Sequence, residues 1–321
     1  MQPIGVTVVI VTFNSRAHFP RLRAALEGQT IPYALIVLDN ASDADQRPTA
    51  ADFPAHAQFL QQDRNLGFAE GNNKAAALVE TPLMALLNPD AFPEPDWLAE
   101  LAAAAARHPE AAAFGSTQIS AAEPGRYDGL GDRYGAYGFP WRAAHGALRT
   151  FPAIDGEAFS PCAAAALYRI AAWRAAGGFE PSYFCFVEDV DLGFRLRLMG
   201  WTCRQAASAV VAHIGGASAA RRSAFAVYHG RRNRIWTLLR CMPWPLLVLA
   251  APLHVAHTLL QVALSVGGPH FRPTMAALRD ALRGSPAALQ ARRQIQASRT
   301  ASLGAIAAAF TWSPLTMARR R

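Results

Sequence analysis

VTVVIVT, Val6 to Thr12, is an unbroken apolar, β-branched run that ends at the polar turn Phe13-Asn14-Ser15. A strand without a polar face is covered on both sides, so this stretch predicts the interior of a sheet with helices above and below it. The same grammar repeats outward from it. A helix with Leu22, Ala25 and Leu26 on one side follows, then a second buried strand, Tyr33 to Leu38 (YALIVL). Phe59-Leu60 is a weaker strand candidate, and a helix runs through Lys74 to Val79. Leu83 to Leu87 (LMALL) is a further buried strand, and Trp97 to Arg107 an alanine-rich helix. Strands alternating with helices imply an α/β fold with an open, mostly parallel sheet and helices on both faces.

In such a sheet, ligands bind beyond the carboxyl ends of the strands. Four polar turns fall there: Thr12-Phe13-Asn14, Asp39-Asn40, Asn65 to Asn73, and Asn88-Pro89-Asp90. Any one of them alone is ordinary turn chemistry. Together, on one edge of a greasy sheet, they suggest a nucleotide cleft. No GxGxxG or Walker-type loop is present, which weakens dinucleotide and P-loop readings.

Further along stands FVEDVDLGFRLRLMGW, Phe186 to Trp201, with Glu188, Asp189 and Asp191 within four residues. It reads as a helix that opens with acids at its positive end and stops at Gly200. A carboxylate held among apolar groups and other carboxylates has a raised proton affinity, which suits a general base. Residues 120–150, rich in Gly, Tyr and Arg, read as a long surface loop, a mobile flap over the cleft. Ala163 to Tyr168 reads as a strand and Ala171 to Ala176 as a short helix. Trp201 to Arg204 and Ala209 to His213 read as two short strands.

Charge divides the chain. Residues 1–214 carry 16 Lys+Arg against 22 Asp+Glu, whereas residues 215–321 carry 15 Arg against one acid, Asp280. A mildly acidic domain (residues 1–218) is therefore expected to precede a strongly basic helical region (219–321), suited to an anionic membrane surface or a nucleic acid. Tyr228 to Leu239 reads as a basic helix. Trp244 to Gly267 is uncharged and long enough to span a bilayer, but Pro245 and Pro252 are expected to break it. His254, His257 and Gln261 form a polar stripe, a pattern of an interfacial or re-entrant segment. The terminal Arg319-Arg320-Arg321 reads as a solvated end. Four cysteines without a CxxC pair fit a reducing cytoplasm and argue against a disulfide scaffold or a cysteine zinc site. The N-terminus lacks a basic segment before its apolar run and reads as a strand, not a signal peptide.

The runs VVIVTFNS, LDNAS, NLGFAEGNN, LLNPDAF, GGFEPSYFCFVEDVDLGFRLRLMGW and AHIGGAS, in that order from Val6 to Ser218, resemble the family-2 glycosyltransferases of the GT-A fold. They are most similar to the rhamnosyltransferase-type branch of bacterial polysaccharide assembly. The resemblance implies inverting transfer of a sugar, with rhamnose the expected one, from a UDP- or dTDP-sugar to a lipid-linked or cell-surface glycan. It implies that Thr12, Asn14 and Asp39 hold the nucleoside and that Asn65, Gly67 and Asn72 line the nucleotide-sugar pocket. Asp90 takes the place of the last acid of the family's Asp-x-Asp metal motif, with Asn88 at its first position, and His213 completes the shell of a magnesium or manganese ion. Asp189 matches the catalytic base, with Glu188 orienting it. Asp191 is expected to cap its helix or bond the acceptor loop, Arg195 and Arg197 to be fold-side ion-pair partners, and Cys162 and Cys185 to be small buried residues. The expected location is the cytoplasmic face of the inner membrane, as a peripheral or re-entrant protein. Two other classes compete. A nucleic-acid binder would act through the basic region, although nucleic acid does not want its long uncharged segment and no such partner is expected. A nucleotidyltransferase would need a glycine-rich basic loop after the first strand, which Phe13-Asn14-Ser15-Arg16 does not supply.

Overall fold

The computed structural model describes residues 5–215, 223–313 and 316. The expected boundary between residues 218 and 219, the end of AHIGGAS and Arg319-Arg320-Arg321 lie outside them. From the N-terminus, β1 (Val6–Thr12) is followed by α1 (Phe19–Glu27), β2 (Ala34–Asp39), β3 (Ala57–Gln61), α2 (Gly67–Ala76), β4 (Leu83–Leu87), β5 (Ala91–Pro93) and α3 (Trp97–Arg107). Next come β6 (Ala111–Ser120), β7 (Tyr127–Gly129), β8 (Asp132–Gly135), β9 (Phe139–Arg142), β10 (Gly156–Ala158) and β11 (Ala165–Arg169). The helices α4 (Ile170–Ala176) and α5 (Glu188–Leu198) precede β12 (Thr202–His213). The C-terminal region consists of α6 (Ala224–Cys241), α7 (Trp244–Ser265), α8 (Phe271–Ala297) and α9 (Leu303–Ala308).

The main sheet runs β10-β12-β6-β11-β4-β1-β2-β3. β1 is parallel to both β2 and β4, β2 to β3, and β6 to β12, while β11 runs antiparallel between β4 and β6. The β-branched run of β1 works as its composition predicts. Val6, Val8 and Ile10 face one hydrophobic cluster with Phe19, Leu22 and Leu26, and Val9 and Val11 face another with Ala69 and Ala75. Alternating side chains bury both faces, and the strand ends of the parallel half open at one edge.

Three expectations are corrected, and one strand is present that the sequence does not signal. Ala111–Ser120, AAAFGSTQIS, is a ten-residue strand inside the sheet, with neither an apolar run nor a clean alternation to announce it. Its small side chains leave no strand signature, and packing under α3 rather than propensity decides the conformation. The two short strands expected after Trp201 are one strand, β12, with a register shift between Ala206 and Val210. Residues 120–150 are not a mobile flap. β8 and β9 form a hairpin whose Tyr134 is fully buried and stacks on Phe159 at 4.7 Å between ring centroids. Thr311 N donates to Tyr134 O, and Ala136 N donates to Thr311 O, so the C-terminus pins that hairpin. Finally, α7 is continuous through Pro252. Pro245 sits in the first turn, where its missing N–H has no helical partner anyway.

A third hydrophobic cluster joins the two regions. Tyr134, Phe159, Phe194 and Leu198 pack there with Leu238, Met242, Ile306 and Phe310. Of the arginines that make the C-terminal region basic, Arg232, Arg234 and Arg240 are buried. They serve the protein interior rather than a surface patch. The polar stripe of α7 borders the protein: buried His254 bonds Tyr137 O through Nδ1 at 2.9 Å, exposed His257 lies 4.0 Å from Phe139 between ring centroids, and Gln261 Oε1 accepts from Arg234 Nη2 at 3.2 Å.

Candidate active site

Two neighbouring groups of side chains lie along the open edge of the sheet. The first is built on the ends of β1, β2 and β3. Thr12 and Asp39 are register partners, and both are buried. Asp39 accepts from Ser42 N (3.1 Å), Ser42 Oγ (2.5 Å) and Gln61 Nε2 (2.8 Å). A carboxylate has about four acceptor positions, so one stays available. The Thr12 hydroxyl is buried and has no partner. Asn14 takes a positive φ of 50° and is fixed by Ser42 Oγ, which accepts from its N–H at 2.8 Å, and by Asp43, which its amide meets at 2.9 Å. Asn40 carries the next loop: its Nδ2 donates to Gly67 O at 2.9 Å, while Asn65 Oδ1 accepts from Gly67 N at 2.8 Å. Asn72 is buried and donates to Phe68 O within its own helix.

The second group surrounds a cleft of about 380 Å³ lined by Phe68, Asn88, Trp141, Glu188, Asp189 and His213, among others. α5 presents the two acids. Its N-cap, Val187, has φ 72°, as does Phe186, and Phe184 has φ 64°. Non-glycine residues at positive φ are costly and persist only where surroundings impose them. Asp189 Oδ2 accepts from Ala163 N at 3.1 Å and Oδ1 from Val190 N at 2.8 Å. Burial raises the proton affinity of Asp189, offset in part by the Ala163 N–H and the charge of Arg142. Glu188 is pushed well above the carboxylate range by burial and by the charge of Asp189, and its Oε2 has no hydrogen-bond partner. Asp191, by contrast, points into the protein. It pairs with Arg195 at 2.7 Å and with Arg240 at 3.5 Å, and Arg197 pairs with Glu157 at 2.6 Å.

His213 ends β12 beside the cleft. Its Nε2 lies 3.3 Å from Asp90 Oδ1 and its Nδ1 2.8 Å from Asp128 Oδ2. These two carboxylates raise its proton affinity against the opposing effect of burial. Asp128 also meets Arg142 at 2.6 Å and His145 at 3.4 Å. Burial opposes the charge on Asp128, but the bonds from His145 and His213 and the Arg142 charge hold its proton affinity far below the usual range. Asp128, Arg142 and His145 come from the segment read as a loop. The paired Asp-Gly and Gly-Asp turn signals around alternating aromatics, DGLGDRYGAYGFPWR, are the hairpin signal that marks them. The four cysteines are free, and burial pushes the Cys162 thiol, which lines the cleft, up to about 12, so it is no nucleophile at neutral pH.

Polar turns at the ends of parallel strands, next to a cleft with a carboxylate at a helix start, fit a glycosyltransferase of the GT-A class. The chain belongs to glycosyl transferase family 2, whose model matches residues 7–174. A Mycobacterium tuberculosis protein named N-acetylglucosaminyl-diphospho-decaprenol L-rhamnosyltransferase is 29% identical over 234 residues, 64% of this chain and 75% of that protein. The crystal structure of S. aureus TarS 1-349 matches 92% of this chain and 91% of its own, with TM-score 0.57 and 14% identity. GalNAc-T7, solved with UDP, GalNAc and Mn2+, matches at TM-score 0.55 and 12% identity over 65% of this chain, which spans 43% of that one.

Proposed function

We propose that this chain transfers a sugar from a nucleoside diphosphate, with inversion, to a lipid-linked or cell-surface glycan at a membrane surface. The observation that carries the reading is Asp189: a buried carboxylate, oriented by two backbone N–H groups, on the wall of the cleft beside the nucleotide-side turns. Its raised proton affinity suits it to take the acceptor's hydroxyl proton while the new C–O bond forms and the bond to the diphosphate breaks. Glu188, unpartnered at Oε2, tunes that base. On the nucleotide side, Asp39 keeps one acceptor position for a base imide N–H, and Thr12 and Asn14 border it. Asn65 and Gly67 border the donor, and Asn72 supports them by holding α2. The rhamnosyltransferase among the relatives makes dTDP-rhamnose the first donor to try.

The residues fit a divalent cation. Asp90 and His213 place a carboxylate and an imidazole 3.3 Å apart, and Asp128 holds the far nitrogen of the imidazole, the arrangement that orients metal-bound histidines. Among the described residues no three or more such side chains converge to hold a metal on their own, so a bound ion would need phosphate oxygens of the donor to complete its shell. Magnesium or manganese bound there would neutralise the departing diphosphate.

The test is nucleotide release from a panel of UDP-, dTDP- and GDP-sugars. Asp189→Asn is expected to cut turnover by about 10²–10⁴-fold while nucleotide affinity stays. Undiminished turnover in that variant removes Asp189 as the base, and no release from any donor by the wild type removes the function.

A further inference from the structure

Three residues in a row of four, Phe184, Phe186 and Val187, hold positive φ immediately before Glu188 and Asp189. Something must impose that conformation, and the fully buried amide of Asn233 on α6 meets it. Asn233 Nδ2 shares its two hydrogens among Tyr183 O (3.0 Å), Cys185 O (3.0 Å) and Phe186 O (2.8 Å). Its Oδ1 accepts from Arg232 Nε at 3.0 Å, and Arg232 Nη2 itself reaches Ser182 O at 2.9 Å and Tyr183 O at 3.1 Å. On its other side the loop meets the donor-side turn. Ala69 N donates to Phe184 O, and Gly67 approaches so closely that a Cβ there would lie 2.5 Å from the Phe184 ring.

We infer that Asn233 is a positioning residue: the C-terminal region reaches into the active site through its amide and holds the strained loop that aims Asp189. The inference rests on Asp189 being the base. The chemistry demands an amide. An aspartate would set a carboxylate against three carbonyl oxygens, and an alanine would take this donor from Cys185 O and Phe186 O and leave Tyr183 O to Arg232 and the Cys185 N–H. Misplacing a reacting group by about 1 Å costs on the order of a hundredfold in rate.

The experiment uses the full chain and measures nucleotide release per nucleotide-binding molecule, so that unfolded protein does not count. Asn233→Ala and Asn233→Asp are expected to lower kcat about a hundredfold, with donor KM and nucleotide affinity unchanged. Asn233→Gln keeps the donors on a longer stem and is expected to recover part of the loss. A purely structural role predicts a smaller binding-competent fraction with normal kcat in that fraction, and that result overturns the inference, as does wild-type kcat in Asn233→Ala. Absence of release by the wild-type protein fails the functional reading instead, and is told apart because it needs no variant.

Discussion

At the scale of single residues, the site is where this chain gives up stability. Glu188 is buried with an unpartnered Oε2 beside Asp189, and its proton affinity is raised. A carboxyl group whose folded pKa lies above its unfolded value of 4.5 costs stability as pH rises through and beyond 4.5. Glu188→Gln removes that cost. Its melting temperature is expected to exceed the wild type's at pH 8 by a few degrees, since about 1 kcal/mol moves Tm by roughly 2–4 °C in domains of 150–250 residues. The difference should shrink toward pH 4, and turnover should fall. Equal melting curves at pH 8 would show that Glu188 is not held as a strained acid. That Glu188 and Asp189 crowd together at a helix start is legible in the sequence. The pairing of Asp191 with Arg195, four residues on, follows the helical spacing, whereas its second partner, Arg240, is not legible because it lies 49 residues downstream on another helix.

At the scale of elements, α5 is clamped between the sheet and α6. Asp191 is fully buried, with Arg195 and Arg240 on it and the Tyr183 hydroxyl donating to it at 3.1 Å. Removing the acid leaves Arg195, largely out of water, without its carboxylate and leaves Arg240 with Glu180 alone. Asp191→Ala is expected to cost about 3–5 kcal/mol in denaturant unfolding. Burial opposes the charge on Asp191, but Arg240 and Arg195 hold its proton affinity below the ordinary value of 3.8. Its contribution is therefore complete above that value and is lost as pH falls through the lower folded pKa. Wild type and variant should converge in strongly acid solution, and a constant gap down to pH 2 would assign the loss to packing instead. The strands of the parallel half are legible because β-branched runs between polar turns have few alternatives. β6 is not, because alanine, glycine and serine take whatever conformation their neighbours impose, and in the β8–β9 segment the glycines that read as loop mask the alternating aromatics that mark the hairpin. The residues missed in the site, Asp128, Arg142 and His145, sit in and around that hairpin.

At the scale of the whole molecule, the C-terminal helices bury one face against the catalytic half and leave the other bare. Along α7, Leu247, Ala250, His254 and Ser265 face the protein. Leu249, Leu259 and Leu264 stand 65%, 62% and 78% exposed, with Trp244, Val248 and Val255 beside them. This is the one helix among the described residues long and apolar enough to cross a membrane by length and composition. Because a protein-facing stripe runs along it to its last turn, we propose that it lies on the bilayer with its leucines in the headgroup boundary. Arg272, Arg279 and Arg283 of α8 are exposed and add attraction to anionic lipid. The geometry then ties function to the surface, since α6, which contacts the Asp189 loop, leads directly into α7. Each leucine moved from water into lipid contributes about 1.5–3 kcal/mol. Leu259→Glu with Leu264→Glu is therefore expected to weaken co-sedimentation with vesicles containing phosphatidylglycerol by about a hundredfold or more, while release of nucleotide from the donor in detergent continues. Wild-type binding should fall with salt on anionic vesicles and persist more weakly on neutral ones. If the double variant binds vesicles as the wild type does, the exposed face of α7 is not the surface that meets lipid.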